Sequence, residues 1–181
     1  MVIVSSIACD TVGTMVEVNW RIATDDNGGM FDDSIHKAYG RNFEDELTDQ
    51  KAGVHSLYMG FNKEELIATG FIRWCGPRSV EAFALFPDVP EIFRLGVNPK
   101  FQSRGIGTSL LRLLEAEADS RSYDSVGIGV SHTNDRARKL YCRLGYANTA
   151  VLNYIDEFQY KNRDGQVVTA RDPCSFLLKR F

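Results

Sequence analysis

The 181-residue sequence predicts a mixed α/β domain built around one strand–helix–strand crossover. Three observations carry that prediction. Val16, Val18, Trp20 and Ile22 alternate with Glu17, Asn19 and Arg21, the period of a half-buried strand. Ile106, Leu110, Leu113, Leu114 and Ala118 recur at helical spacing, with Arg112, Glu115 and Asp119 left for solvent. Between a strand-like run at residues 91–98 and that helix lies Gln102-Ser103-Arg104-Gly105-Ile106-Gly107-Thr108-Ser109, a turn with two glycines and a basic residue. A turn of this kind presents free backbone N–H groups at a helix start, where an anion can sit.

Taken in order, residues 1–14 form a short strand or a loose arm, and residues 16–23 are the first firm strand. Residues 24–29, Thr-Asp-Asp-Asn-Gly-Gly, break the chain and can cap the next element. Residues 30–50 read as one or two short helices interrupted near Gly40. Residues 55–61 and 65–75 read as strands joined by Asn62-Lys63-Glu64, a hairpin-length connection. Residues 76–90 hold Pro77, Pro87 and Pro90 around a short apolar run, which predicts a broken strand or an extended loop bordering a pocket. After the central helix, residues 125–130 read as a strand. Thr133 or Asn134 caps a second helix that Gly145 closes. Residues 146–155 and 175–181 read as two further strands, linked by a charged turn at Asn162-Arg163-Asp164-Gly165. There is no internal repeat or linker, so residues 1–181 are expected to form one domain, with residues 1–15 unplaced.

Composition bounds the function. No apolar run approaches the roughly 18 residues of a membrane span, and residues 1–9 lack the basic flank of a signal peptide. A cytoplasmic protein that does not bind membranes is expected. Cys9, Cys75, Cys142 and Cys174 stand too far apart for a metal site and read as reduced and structural. Neither His36 nor His132 has a partner at metal spacing, and Trp20 and Trp74 sit in strand patterns that place them in the core. Charge is uneven: residues 1–90 hold 14 acidic and 7 basic side chains, residues 91–181 hold 10 and 14. A basic half carrying the anion turn, joined to an acidic half, suggests an anionic coenzyme on one side and a cationic substrate on the other. No basic stripe with interleaved aromatics points to nucleic acid. The turn lacks the Gly-x-x-x-x-Gly-Lys pattern and the third glycine of a dinucleotide fingerprint.

Two motifs in sequence raise a specific resemblance. Arg94-Leu95-Gly96-Val97 with Pro99, then the turn, is followed by Asn134-Asp135-Arg136-Ala137-Arg138-Lys139-Leu140-Tyr141 and Leu144-Gly145-Tyr146. Residues 91–147 closely resemble the GNAT superfamily of acyl-CoA-dependent N-acetyltransferases. That resemblance implies a largely antiparallel sheet of six to seven strands flanked by helices. It also implies acetyl-CoA as acyl donor, no metal, and a small-molecule or peptide amine as acceptor; a homodimer is an open possibility. It further implies a coenzyme site at Leu95, Gly96, Val97, Gln102, Ser103, Arg104, Gly105, Ile106, Gly107, Thr108, Ser109, Asn134 and Tyr141. The pyrophosphate would lie on the N–H groups of residues 103–108, and the pantetheine arm along residues 95–97. A backbone N–H near Leu95 would polarise the thioester carbonyl, and Tyr141 would protonate the departing thiolate.

The base has several claimants. Glu91 stands eleven residues before Gln102, the spacing of the strand glutamate that serves as base in the family's histone-acetylating branch. It shares strand parity with Phe93, Leu95 and Val97, so burial can raise its pKa. His55, Glu81, Asp88 and Glu157 are rivals. A non-catalytic acyl-CoA-binding module, and a transferase of another acyl group, are the alternative readings.

Overall fold

The computed structural model describes residues 4–9, 15–24, 48–161 and 166–181, with backbone alone at 4–9, 15 and 159–161. Nine strands form one sheet: β1 (Val4–Cys9), β2 (Met15–Ile22), β3 (His55–Asn62), β4 (Glu65–Arg73), β5 (Glu91–Val97), β6 (Ser125–Ser131), β7 (Ala147–Asn148), β8 (Tyr154–Lys161) and β9 (Val167–Arg180). Three helices are described from end to end, α1 (Val80–Leu85), α2 (Ile106–Ser120) and α3 (Asp135–Arg143), and residues 48–51 are helical as well. The strand order is β1-β2-β3-β4-β5-β6-β9-β7, with β8 also on β9. Every described pair is antiparallel except β5–β6, which the α2 crossover makes parallel. The expected helices within residues 30–47 and the charged turn at 162–165 lie outside the described residues.

Local chemistry accounts for the element ends. A two-residue connection, Lys63-Glu64, joins β3 to β4, with Lys63 left-handed at φ 54°. The Asn134 side chain accepts from the Ala137 N–H at 3.1 Å and caps α3, and Gly145 at φ 96° comes just after its C-terminus.

Three readings are corrected. Residues 76–90 contain a helix, α1, because Ser79 accepts from the Ala82 N–H at 3.0 Å and supplies an N-cap. The segment expected as one strand at residues 146–155 breaks. Only Ala147 and Asn148 pair before β8 begins at Tyr154, and Thr149 turns its hydroxyl onto the Phe176 carbonyl between them. Glu115 is buried rather than solvated: Lys179 of β9 reaches it at 2.6 Å, and that cation compensates the carboxylate.

The face of the sheet under α2 is packed by Ile106, Leu110, Leu111, Leu114 and Ala118 against Val18, Ile72, Ile92, Ile128, Val130 and Leu177. Each of the valine, leucine and isoleucine side chains contributes about 1.5–3 kcal/mol on burial. On β6, Val126, Ile128 and Val130 face α2, whereas Gly127 and Gly129 face the other way, beneath Phe176 and Tyr154. This alternation gives the sheet two chemically distinct faces at the place where β5 and β6 meet.

Candidate active site

β5 and β6 begin as neighbours and then part. Their register consists of Glu91 with Gly127 and Ile92 with Ile128, and it ends there. Past Ile92 the β5–β6 ladder stops, while Phe93, Gly96 and Val97 stay in register with Phe71, Thr69 and Ala68 of β4. Where the ladder stops, backbone groups of β5 are no longer committed to β6.

The β4–β5 register shifts between Thr69 and Phe71, and Arg94 adopts φ 50°. This bulge inverts the side-chain alternation and corrects the expected parity of Glu91 with Leu95 and Val97. Phe93 packs with Phe71, whereas Leu95 and Val97 turn to the α2 side. Leu95 and Leu110 methyls stand 2.8 and 2.9 Å from where a Cβ at Gly70 would be, so a larger residue there would have to displace them.

At the far end of β5 the turn forms as expected. A short 3₁₀ turn at Pro99–Phe101 precedes it, Ser103 and Gly105 take φ of 62° and 76°, and Gly105 is the N-cap of α2 with no side-chain hydrogen bond. The Ser109 N–H bonds the Gly105 carbonyl at 2.9 Å, so the N–H groups of Ile106, Gly107 and Thr108 precede the intrahelical ladder and point outward. A Cβ at Gly107 would meet only ordinary contacts, 3.8 Å to Leu140 and 3.9 Å to Val97, so alanine would fit there. Arg104 lies over the Phe101 ring at 5.7 Å.

The turn is also tied to its surroundings by side chains. Gln102 Nε2 donates to the Val97 carbonyl at 3.1 Å, which narrows the open strand edge toward Leu95 and Gly96. Arg136 of α3 donates to Gln102 Oε1 and Ser103 Oγ, both at 3.0 Å. Arg136 was not singled out in the sequence, although it lies within the second motif. Nothing local marks it as the α3 residue that reaches back to the turn.

Glu91 and Tyr141 occupy opposite faces. Tyr141 is the buried residue of α3, packed in the α2-side core with its ring 5.9 Å from that of Tyr146. Glu91 lies on the other face, 5% exposed, where β5 still pairs with β6. From Glu91 to Val97 the strand runs about 20 Å, so this carboxylate and the turn sit at opposite ends of one strand. Burial pushes the Glu91 carboxyl up from 4.5 to about 7, against the lowering effects of the Arg78 N–H and guanidinium and of Arg73; the charge of Asp156 adds to the rise. The Arg78 N–H donates to Glu91 Oε2 at 2.8 Å.

Tyr154 completes this end. Its hydroxyl occupies the space a side chain at Gly129 would need, and Glu91 Oε1 lies 3.9 Å from that same point. Burial, and then the Glu91 charge, drive its pKa upward. The only sequence signal for such a neighbour was the Gly127-x-Gly129 pair. Gly129→Ala is therefore expected to destabilise the fold by about 1–3 kcal/mol in urea unfolding. Tyr154→Phe in the same chain should recover much of that loss, and additive effects would show that the hydroxyl is not the obstacle.

The remaining claimants are exposed, paired or in the core. His55 is buried, edge-on to Phe71 and Phe93 at 5.4 and 6.0 Å and 4.0 Å from Asp49. Glu81 and Asp88 are exposed, and Glu157 pairs with Arg171 at 3.2 Å. His132 is exposed and bonds the Leu152 carbonyl and Ser175. Cys75 and Cys142 are exposed free thiols, which removes them from the expected structural set, while Cys174 is buried. Among the described residues no cluster of ligating side chains could hold a metal.

The fold that carries these residues is shared with solved acetyltransferases. A GNAT family acetyltransferase from Elizabethkingia anophelis, with acetyl-CoA bound, superposes with a TM-score of 0.61 over 91% of this chain and 98% of that one, at 20% identity. NAA60 of Arabidopsis thaliana, in complex with a bisubstrate analogue, gives 0.67 over 90% and 97% at 16% identity. The ribosomal-protein-S18-alanine N-acetyltransferase of Escherichia coli gives 0.59 over 90% and 93% at 17% identity. Residues 19–146 match the acetyltransferase (GNAT) family, and the chain belongs to that family.

Proposed function

We propose that this acetyltransferase moves an acetyl group from acetyl-CoA to a primary amine on a small molecule or peptide, by direct attack in a ternary complex. The observation that carries this reading is the end of the β5–β6 ladder at Ile92. Beyond it the β5 backbone is no longer committed to β6, with a dry carboxylate on one face of the sheet and a buried tyrosine on the other.

The residues present suit the coenzyme. Left-handed Gly105 opens the turn, the Ile106, Gly107 and Thr108 N–H groups point outward with Ser103, Arg104 and Ser109 nearby, and Arg136 adds positive charge. When bound, acetyl-CoA supplies the acetyl group as an activated thioester. Leu95 and Gly96 would offer backbone groups for its arm, and a backbone N–H near Leu95 would act as the oxyanion donor. Asn134 caps α3 and so fixes the helix that carries Tyr141.

Glu91 takes the proton that an ammonium must lose before it can attack. A carboxyl near 7 is half ionised at neutral pH and basic enough to accept it. Tyr141 gives its phenolic proton to the departing sulfur. The acidic first half of the chain favours a cationic acceptor.

Two measurements test this reading. Thiol release from acetyl-CoA, screened across polyamines, amino acids, aminoglycosides and peptides, should identify an accepting amine. Coenzyme binding with no turnover on any amine would favour a non-catalytic module. Tyr141→Phe should lower kcat by about 10²-fold with the KM for acetyl-CoA little changed, and unchanged kcat would remove Tyr141 from the mechanism.

A further inference from the structure

The loop between β4 and α1 is built to aim one N–H group. Gly76 at φ 83° can carry no side chain, since a Cβ would strike the Pro87 carbonyl and stand 2.9 Å from the Phe83 ring. Arg73 Nε donates to the Gly76 carbonyl at 3.2 Å, and Ser79 caps α1 two residues after Pro77. Between these anchors the Arg78 N–H meets Glu91 Oε2. The Arg78 side chain then crosses to β8, where Nη2 lies 2.7 Å from Asp156 Oδ1, and it passes 5.3 Å from the Phe93 ring centre. The two charged groups are only 26% and 34% exposed, and they are 78 residues apart in the chain. An isolated surface pair would contribute little. This one tethers the loop that solvates a buried carboxylate.

We propose that the Arg78–Asp156 pair is a positioning device for Glu91, holding the Arg78 N–H against Oε2 so that the carboxylate can form in a dry site. The inference rests on the reading of Glu91 as the base. The charged and titratable groups facing Glu91 are Arg73 from β4, Arg78 from the loop, Tyr154 and Asp156 from β8, and Cys174 from β9. Arg78 is the one that contributes both a cation and a backbone donor. Losing its side chain removes the cation and slackens the tether, and both changes disfavour the ionised form.

Carbon-13 titration of the side-chain carboxyls in the full chain tests this without an acceptor, the Glu91 signal being assigned by its loss in Glu91→Gln. In Arg78→Met the Glu91 midpoint should rise by about one pH unit, while Arg78→Lys, which can still reach Asp156, should titrate like the parent. Arg78→Gln repeats the test with a polar uncharged side chain if the methionine variant folds poorly. A midpoint that does not move in Arg78→Met or Arg78→Gln, whatever the change in melting temperature, overturns the positioning role and leaves Glu91 as a base. A Glu91→Gln enzyme with full turnover overturns the base and leaves the coupling between Arg78 and Glu91 to be read by the titration alone.

Discussion

Glu91→Gln is expected to lower kcat by about 10²- to 10⁴-fold and, at the same time, to make the protein more stable above neutral pH. The two effects share one cause. Burial holds the Glu91 carboxyl at about 7 in the folded chain, against 4.5 when it is free in water. Below about pH 4.5 the group is protonated in both states and the substitution changes little. Between 4.5 and 7 the unfolded chain releases the proton and the folded chain keeps it, so the fold loses stability as pH rises; above 7 the loss is constant. Glutamine removes that loss and can still accept from the Arg78 N–H. A gain of about 1–3 kcal/mol should therefore appear in urea unfolding at pH 8 and vanish toward pH 4. The parent enzyme's kcat/KM should rise with pH through about 7 as Glu91 ionises. Undiminished turnover in Glu91→Gln, together with a flat profile in the parent, would exclude the base.

Gly105→Glu should abolish measurable coenzyme binding, a loss of more than about 10²-fold in calorimetry with coenzyme A. Gly105 sits at φ 76°, ψ −4°, where an L-residue costs about 1–2 kcal/mol. A carboxylate there would also repel the phosphates of a coenzyme bound at the positive end of α2, as proposed. Gly105→Ala isolates the strain and should weaken binding far less. Parent affinity in Gly105→Glu would show that the anion site lies elsewhere.

The turn and both motif helices were legible because their determinants are local. Gly145 has the left-handed dihedral its position called for, and of the two expected caps, Thr133 and Asn134, it is Asn134 that caps. Glu91 was legible by position but not by setting. Its eleven-residue offset from Gln102 marked the strand, whereas its supposed companions Leu95 and Val97 face the other way. Arg78, Asp156 and Tyr154 were not legible at all. Their relation to Glu91 joins a loop, two strands and a sheet crossing, and no window of sequence contains it.

The sequence by itself determined the strand–turn–helix unit, its family and the chemistry of the anion turn, because backbone dihedrals and helix caps are set within a few residues. Only the tertiary structure decided which face each side chain takes and which charges meet. Strand alternation predicts direction only while the backbone stays regular, and the single left-handed residue at Arg94 inverts it. The surroundings that raise the proton affinity of Glu91 come from segments that meet only when the sheet is assembled.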